Sequence, residues 1–250
     1  MTMLEVQGLF KEFRGIKAID DVSFTVPQGS ITSLIGPNGA GKTTLINVVT
    51  GVLPPTRGVL LFGGQSLGGH RPNKVATLGI RRTFQTVRLF TGLTVRENLV
   101  IGRFRNLFAG SLKDIFLPMK FGDSPGRERA VKVLRMFELE DLADEIATDL
   151  PYGTQRRVEI ARALMGEPSL VLLDEPAAGM NEQETEQLVK DVRRIRDSGV
   201  TVFLVEHDMS MVMTVSDKVI VLNFGRKIAE GTPAEVQSNP DVIKSYLGDE

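Results

Sequence analysis

Not one cysteine occurs in the 250 residues. Disulfides and thiolate metal centres are therefore excluded, and a cytosolic compartment is permitted. Nor is there an excess of charge: 30 basic residues stand against 31 acidic ones, for a net charge of −1. That balance leaves no electrostatic footprint for DNA or RNA, whose binding needs Lys and Arg gathered on one face. No apolar run approaches the ~18 residues that cross a bilayer. MTMLEVQGLFKEF at the start lacks the basic-then-apolar layout of a secretory signal. The strongest apolar runs, SLVLLDEP and VTVFLVEH, have strand length and stop at charges, so any service to a membrane is performed from its surface. Internal repeats, low-complexity tracts and linkers are missing as well. What remains, 42% hydrophobic and 24% charged residues, is the composition of a soluble globular chain long enough to bury a core.

The apolar pattern divides the chain into elements. MLEVQGLF, AIDDVSFTV and SITSLIG read as strands, with Pro27-Gln28-Gly29 as a turn, and a helix is expected from 42 to about 50. GVLLFGG is hairpin-like and leads into a glycine-rich loop through Gly64, Gly68 and Gly69, where His70 reads as exposed. From about 90 to 150 the pattern is helical. Phe104, Leu107, Phe108, Leu112, Ile115, Phe116 and Met119 share one face at i, i+3, i+4 spacing. Helix and strand then alternate: a helix over 154–164, a strand over 170–173, a helix over 183–197 and a strand over 200–205. Such alternation predicts a parallel sheet covered by helices. Segments 218–223 and 226–230 flank Phe224-Gly225 as a hairpin. Thr232-Pro233 and Asn239-Pro240 each place a capping side chain before a proline at the first helical position. The whole reads as one α/β core with a helical insertion, not two independent domains.

The chemistry enters at GPNGAGKTT. Gly36, Pro37, Asn38, Gly39, Ala40, Gly41, Lys42, Thr43 and Thr44 fit G-x-x-x-x-G-K-[ST] and lie after a strand and before a helix, where a phosphate loop must lie. Gly39 and Gly41 let the backbone curl so that successive N–H groups point at phosphate oxygens, and the following helix adds the positive end of its dipole. Lys42 is placed to reach the β- and γ-phosphates, and Thr43 to offer its hydroxyl to Mg²⁺. Downstream, an apolar strand ends in Asp174-Glu175-Pro176. A carboxylate at the C-terminal end of a parallel strand beside a phosphate loop suits Mg²⁺ through its water shell, which assigns Asp174. Glu175, one residue further out, faces the terminal phosphate and is the candidate to orient or deprotonate water.

In order along the chain, GPNGAGKTT, Gln85, LPYGTQ, LVLLDEP and His207 resemble the ATP-binding subunits of ABC transporters over essentially the whole length. The resemblance implies a P-loop NTPase (ABC ATPase) α/β core with an N-terminal antiparallel β subdomain and an inserted α-helical subdomain. Residues 1–89 and 150–230 would be the nucleotide-binding core with its β subdomain, 90–149 the helical insertion, and 231–250 a C-terminal helical tail. It places Phe13, in KEFRGIKA, under adenine, and Gln85, in RRTFQ, at Mg²⁺ and the water. His207 falls at the switch histidine that touches the γ-phosphate, and Ala177 to Asn181 in the loop that crosses to a partner. Residues 150–155 occupy the place of the LSGGQ signature. In the family that signature closes over nucleotide held by another subunit's phosphate loop, so Pro151, Tyr152, Gly153 and Thr154 would act in trans. The cofactors implied are ATP or ADP and Mg²⁺. The partners implied are a second cassette, identical or paralogous, transmembrane permease subunits and, indirectly, a solute-binding protein, with no nucleic acid. The location implied is cytoplasmic and peripheral, on the inner face of the cell membrane.

Departures from the family pattern sharpen the resemblance. Pro151 stands where the signature has Ser, Tyr152 where it has Gly, and Thr154 where it has Gln, while Gly153 is kept. Loss of the serine hydroxyl removes a donor worth ~3 kcal/mol in a closed site, so a weakened but functional signature is expected. Asn181 replaces the usual Asp. RTFQTVRLF, PYGTQRRVEIARAL, DEPAAGMN, VEHDM and NPDVIKSYLG resemble the branched-chain amino-acid importers within the family. Related readings are lipid or lipopolysaccharide export, a non-transport ABC protein acting on DNA or ribosomes, and a regulatory module that dimerises but hardly hydrolyses. The segment 102–126, apolar on one face and carrying Arg103, Arg105, Lys113 and Lys120, suits packing within the insertion, docking of a transmembrane subunit, or contact with anionic lipid. The pairs Arg81-Arg82, Arg156-Arg157 and Arg193-Arg194 read as solvated helix faces or phosphate-proximal structure.

Overall fold

The computed structural model describes residues 1–103 and 125–247. The apolar face expected at 104–119, and most of the segment 102–126, lie outside the described residues. The strands are β1 Thr2–Phe13, β2 Ile16–Pro27, β3 Ile31–Ile35, β4 Arg57–Phe62, β5 Gln65–Ser66, β6 Ile80–Arg82, β7 Leu170–Asp174, β8 Thr201–Val205, β9 Lys218–Asn223 and β10 Arg226–Gly231. The helices are α1 Lys42–Val49, α2 Pro72–Leu78, α3 Val95–Gly102, α4 Pro125–Met136, α5 Tyr152–Leu164, α6 Glu182–Asp197, α7 Met209–Val215, α8 Pro233–Gln237 and α9 Pro240–Leu247.

Among the described residues two sheets form, one in the order β2-β1-β4-β5 and one in the order β10-β9-β3-β8-β7-β6. The first is antiparallel throughout. In the second, β9, β3, β8, β7 and β6 run parallel and β10 closes one edge antiparallel. Every residue of β3, β7 and β8 is buried, which is why these strands read as unbroken apolar runs rather than alternating ones. Their side chains still divide with period two. Leu170, Leu172, Phe203 and Val205 enter a core shared with β1, β2 and α1, while Val171, Leu173, Val202 and Leu204 enter a core shared with α5 and α6. The central sheet is thus held on both faces, and its strand ends are fixed relative to one another. That rigidity matters because the candidate site sits just beyond those ends.

Local chemistry sets the helix boundaries. Thr94 caps α3 in a reciprocal pair with Glu97, Asn181 caps α6 with Glu184, and Thr232 caps α8 with Glu235, each satisfying two otherwise orphaned N–H groups. Asn239 Oδ1 accepts from the Asp241 amide at 2.9 Å, so both proline-started helices of the tail form as expected. Helix α5 begins at Tyr152, two residues before the expected start, because Pro151 itself sits at the cap with extended backbone (φ −53°, ψ 148°). Helix α2, strand β6 and helix α7 lie in stretches that carry no strong apolar period. His70 is half-buried rather than exposed.

Candidate functional site

The phosphate loop leaves β3 at Gly36 and enters α1 at Lys42. Gly41, the residue before α1, has φ 102°, and a Cβ there would lie 2.6 Å from the Ala18 carbonyl. Glycine is therefore required both by conformation and by space. Lys42 is buried, and its Nζ donates to the carbonyls of Gly36 at 2.6 Å and Pro37 at 3.0 Å. An ammonium has three donors, so two hold the loop in shape and one is left for a phosphate oxygen. Burial pulls the Lys42 pKa down, and the carboxylates of Glu175 and Asp174 oppose that pull. A cavity of ≈ 210 Å³ is lined by residues 38–44 together with Ala18 and Glu175. Its open side collects loop amides, the α1 N-terminus and Lys42, the chemistry of an anion site.

The acidic residues arrive from β7. Asp174 ends the strand, and its Oδ2 accepts from Arg82 Nη2 at 2.8 Å. Arg82 also donates to Asn47 Oδ1 at 2.7 Å on α1, so one guanidinium fixes the carboxylate relative to the phosphate loop. Glu175 has φ 44°, a left-handed conformation that side chains other than Gly, Asn and Asp rarely adopt. It is held there by its N–H, which donates to Val205 O at 2.8 Å, and its Oε2 accepts from Gln85 Nε2 at 2.7 Å. His207, just past β8, places Nδ1 4.0 Å from the same Glu175 oxygen. The structure thus brings Gln85, Glu175 and His207 together at the mouth of the phosphate cavity, although 122 positions separate the first from the last. The Thr43 hydroxyl and the Asp174 carboxylate are hard oxygen donors of the kind Mg²⁺ takes; among the described residues no three acidic or histidine side chains are placed to hold a metal ion by themselves. A small ion held by one hydroxyl, one carboxylate, phosphates and water needs no such cluster.

Phe13 ends β1, is 41% exposed, and has Lys11 Nζ 4.9 Å above its ring. It does not line the 210 Å³ cavity. Residues 151–154 do not line it either. Pro151 and Tyr152 are exposed, Thr154 is half-buried and Gly153 is buried. The Gly153 amide donates to Glu184 Oε1 at 3.3 Å, and a Cβ on Gly153 would lie 2.5 Å from that carboxylate. A Cβ on Gly179 would lie 3.3 Å from the Tyr152 ring. The start of α5 is therefore packed on the loop and helix that follow β7.

Several working residues were not legible beforehand. Arg156, expected on a solvated or phosphate-proximal face, is completely buried. Its guanidinium donates to the carbonyls of Asp174 at 2.9 Å, Glu175 at 3.1 Å and Pro176 at 3.2 Å, to Phe84 O, and to Glu159 Oε2 at 2.7 Å. One side chain of α5 thus braces both the acidic turn and the strand end before Gln85. The usable signal was a basic residue three positions ahead of Glu159 on an otherwise apolar helical face.

A family model described as ABC transporter matches residues 19–178, and one described as branched-chain amino acid ATP-binding cassette transporter matches residues 226–250. The high-affinity branched-chain amino acid transport ATP-binding protein BraF of Pseudomonas aeruginosa is 43% identical over 250 residues, covering 99% of this chain and 98% of that protein. A crystal structure of the ADP conformation of an ATP-binding cassette of an ABC transporter is 35% identical, covers 100% of both chains, and has a TM-score of 0.87. A dimeric structure of a bacterial ABC transporter cassette is 25% identical, covers 92% of this chain and 99% of that chain, and has a TM-score of 0.75. The chain belongs to the ABC transporter family and is an ATP-binding subunit of it that hydrolyses ATP.

Proposed function

We propose that the chain powers an importer of branched-chain or related amino acids, working as a pair of cassettes beneath separate transmembrane subunits. The observation that carries the paired arrangement is the position of residues 151–154, none of which lines its own phosphate cavity while the Gly153 amide is held by Glu184. A second copy or a paralogue would present them to the nucleotide instead. Each triphosphate is then gripped by Gly36 to Thr44 of one chain and covered by Pro151, Tyr152, Gly153 and Thr154 of the other, with Phe13 against adenine. Lys42 binds the terminal phosphates, Glu175 orients the attacking water and takes its proton, Gln85 holds Glu175, and His207 contacts the γ-phosphate. Thr43, Asp174 and Gln85 would hold Mg²⁺, which supplies neutralisation of phosphate charge.

Residues 1–89 and 150–230 serve as the core, 90–149 as the helical insertion and 231–250 as the tail. A cavity of ≈ 640 Å³ beside the core, lined in part by Arg82, Thr83, Phe84, Glu159 and Arg162, is the docking place for a permease subunit. Among the described residues Arg82 Nε, Thr83 Oγ1 and Arg162 Nη1, on side chains that line this cavity, are buried without hydrogen-bond partners, and a polar partner segment would satisfy them. Among the described residues no helix is long and apolar enough to cross a membrane, which fits a peripheral place on the cytoplasmic face, with a solute-binding protein acting through the permease. The test is uptake of labelled leucine, isoleucine and valine in cells lacking this chain. Uptake falls and is restored by the wild-type chain but not by Glu175→Gln. Undiminished uptake of all three, with loss of a lipid or another solute, contradicts the reading.

A further inference from the structure

Between β8 and His207 stands Glu206, fully buried and, among the described residues, without a Lys or Arg partner. Its two oxygens are divided between two loops. Oε1 accepts from the Ala177 amide at 2.7 Å, at the head of the 177–181 loop. Oε2 accepts from the amides of His207 at 2.9 Å and Asp208 at 3.4 Å, and lies 3.6 Å from His207 Nδ1. Asp208 in turn caps α7 through the Met211 amide at 3.1 Å. Burial pushes the Glu206 pKa up, and the three backbone donors oppose that push. A buried carboxylate without a cationic partner costs stability. What the arrangement secures in return is a short bridge between two segments 29 residues apart in sequence.

We infer that Glu206 is a positioning residue of the hydrolytic site: its two oxygens tie the backbone of the 177–181 loop to the backbone of His207, so that this loop and the imidazole move as one unit. The inference rests on the proposed roles of His207 at the phosphate and of 177–181 at the second cassette. It gives those roles a mechanical link: a displacement of the loop by a partner reaches His207 through a single side chain. An amide cannot replace the carboxylate, because it offers one acceptor and one donor. Whichever way it turns, its NH₂ meets an N–H, and one of the two ties is lost.

The experiment compares Glu206→Gln and His207→Ala with the wild-type chain in ATP turnover, and follows the side chains by NMR. The chain has two histidines, so the imidazole signals separate readily. E206Q is expected to lower kcat by at least about tenfold, as misplacement of a catalytic group does, with KM for ATP within about twofold of wild type. The His207 signals shift and lose their response to ATP, while those of His70 do not. Unchanged kcat in E206Q, or unchanged His207 signals, overturns the inference. Loss of turnover in H207A with normal turnover in E206Q defeats the bridge alone, whereas normal turnover in H207A defeats the assignment of His207. If E206Q fails to fold, amide exchange in the wild-type chain decides. The Ala177 and His207 amides are expected to open at one common rate that ATP changes together, and independent rates overturn the bridge.

Discussion

Six of the described residues other than glycine have positive φ, and two of them make an instructive contrast. Glu175 and Phe224 each have φ 44°, a state that costs a bulky residue on the order of 1–2 kcal/mol. Glu175 is held there by Val205 and Gln85 and faces the phosphate cavity, so its strain serves to aim a carboxylate. Replacing it with Gln is expected to leave nucleotide affinity within about threefold while turnover falls by about 100-fold or more, as loss of a catalytic base does; turnover at the normal rate removes Glu175 from that role. Phe224, at the turn between β9 and β10, is 85% exposed and buries little in return. Phe224→Gly is expected to raise stability by about 0.5–1 kcal/mol, strain relief exceeding the added freedom of the unfolded chain. A melting scan checks this, and a rise of about 2 °C is the scale for a chain of this length. The turn at Phe224-Gly225 was readable from composition, but which of its residues carries strain was not. Likewise Lys42, Asp174 and Glu175 announced themselves through contiguous motifs. Arg82 and Glu206 gave no local signal and Arg156 only its spacing to Glu159, because the partners that matter lie 18 to 92 positions away.

Strands β7 and β8 were the most readable elements, since burial on both faces leaves an unbroken apolar run that ends at the charge it positions. Helix α5 was the least readable at its start, because Pro151 and Gly153 both look like breakers. Pro151 caps that helix without a side-chain acceptor, which a serine would supply. Pro151→Ser is expected to stabilise the helix by about 1 kcal/mol and to leave ATPase activity equal or higher. A large loss of activity in that variant assigns the proline a structural role of its own. Gly153→Ala is expected to act in the opposite sense. Its Cβ would collide with the Glu184 side chain at 2.5 Å, displacing the carboxylate that accepts from the Gly153 amide and completes the α6 cap. Loss of ATP-dependent pairing with little change in nucleotide affinity is the expected outcome, measured by sedimentation and fluorescent nucleotide binding. The role of Glu184 was hidden from the sequence because it lies 31 positions beyond the glycine it touches.

The molecule as a whole buries several carboxylates, and their titration has a definite sign. Burial raises the pKa of Asp191, against the opposing pull of Arg157 and Arg194, and burial likewise raises Glu159. In the folded state such a group binds its proton more readily than when unfolded. Its stabilising contribution is therefore complete below the ordinary carboxylate value and is lost as pH rises through the raised folded value. The stability advantage of the wild-type chain over Asp191→Asn is expected to shrink as pH increases across that window in thermal melts; an advantage that grows with pH contradicts it. Fold and site were legible wherever chemistry is local, and the parallel sheet then gathers distant motifs at one row of strand ends. On the proposed reading the cavity and residues 151–154 are two halves of one site that a second cassette joins. The most direct test is sedimentation velocity of the Glu175→Gln chain in ATP and in ADP, over a range of concentrations. Dimer in ATP and monomer in ADP is the predicted result; a chain that stays monomeric in ATP, while the wild-type protein hydrolyses it at a rate per molecule indifferent to dilution, contradicts the account.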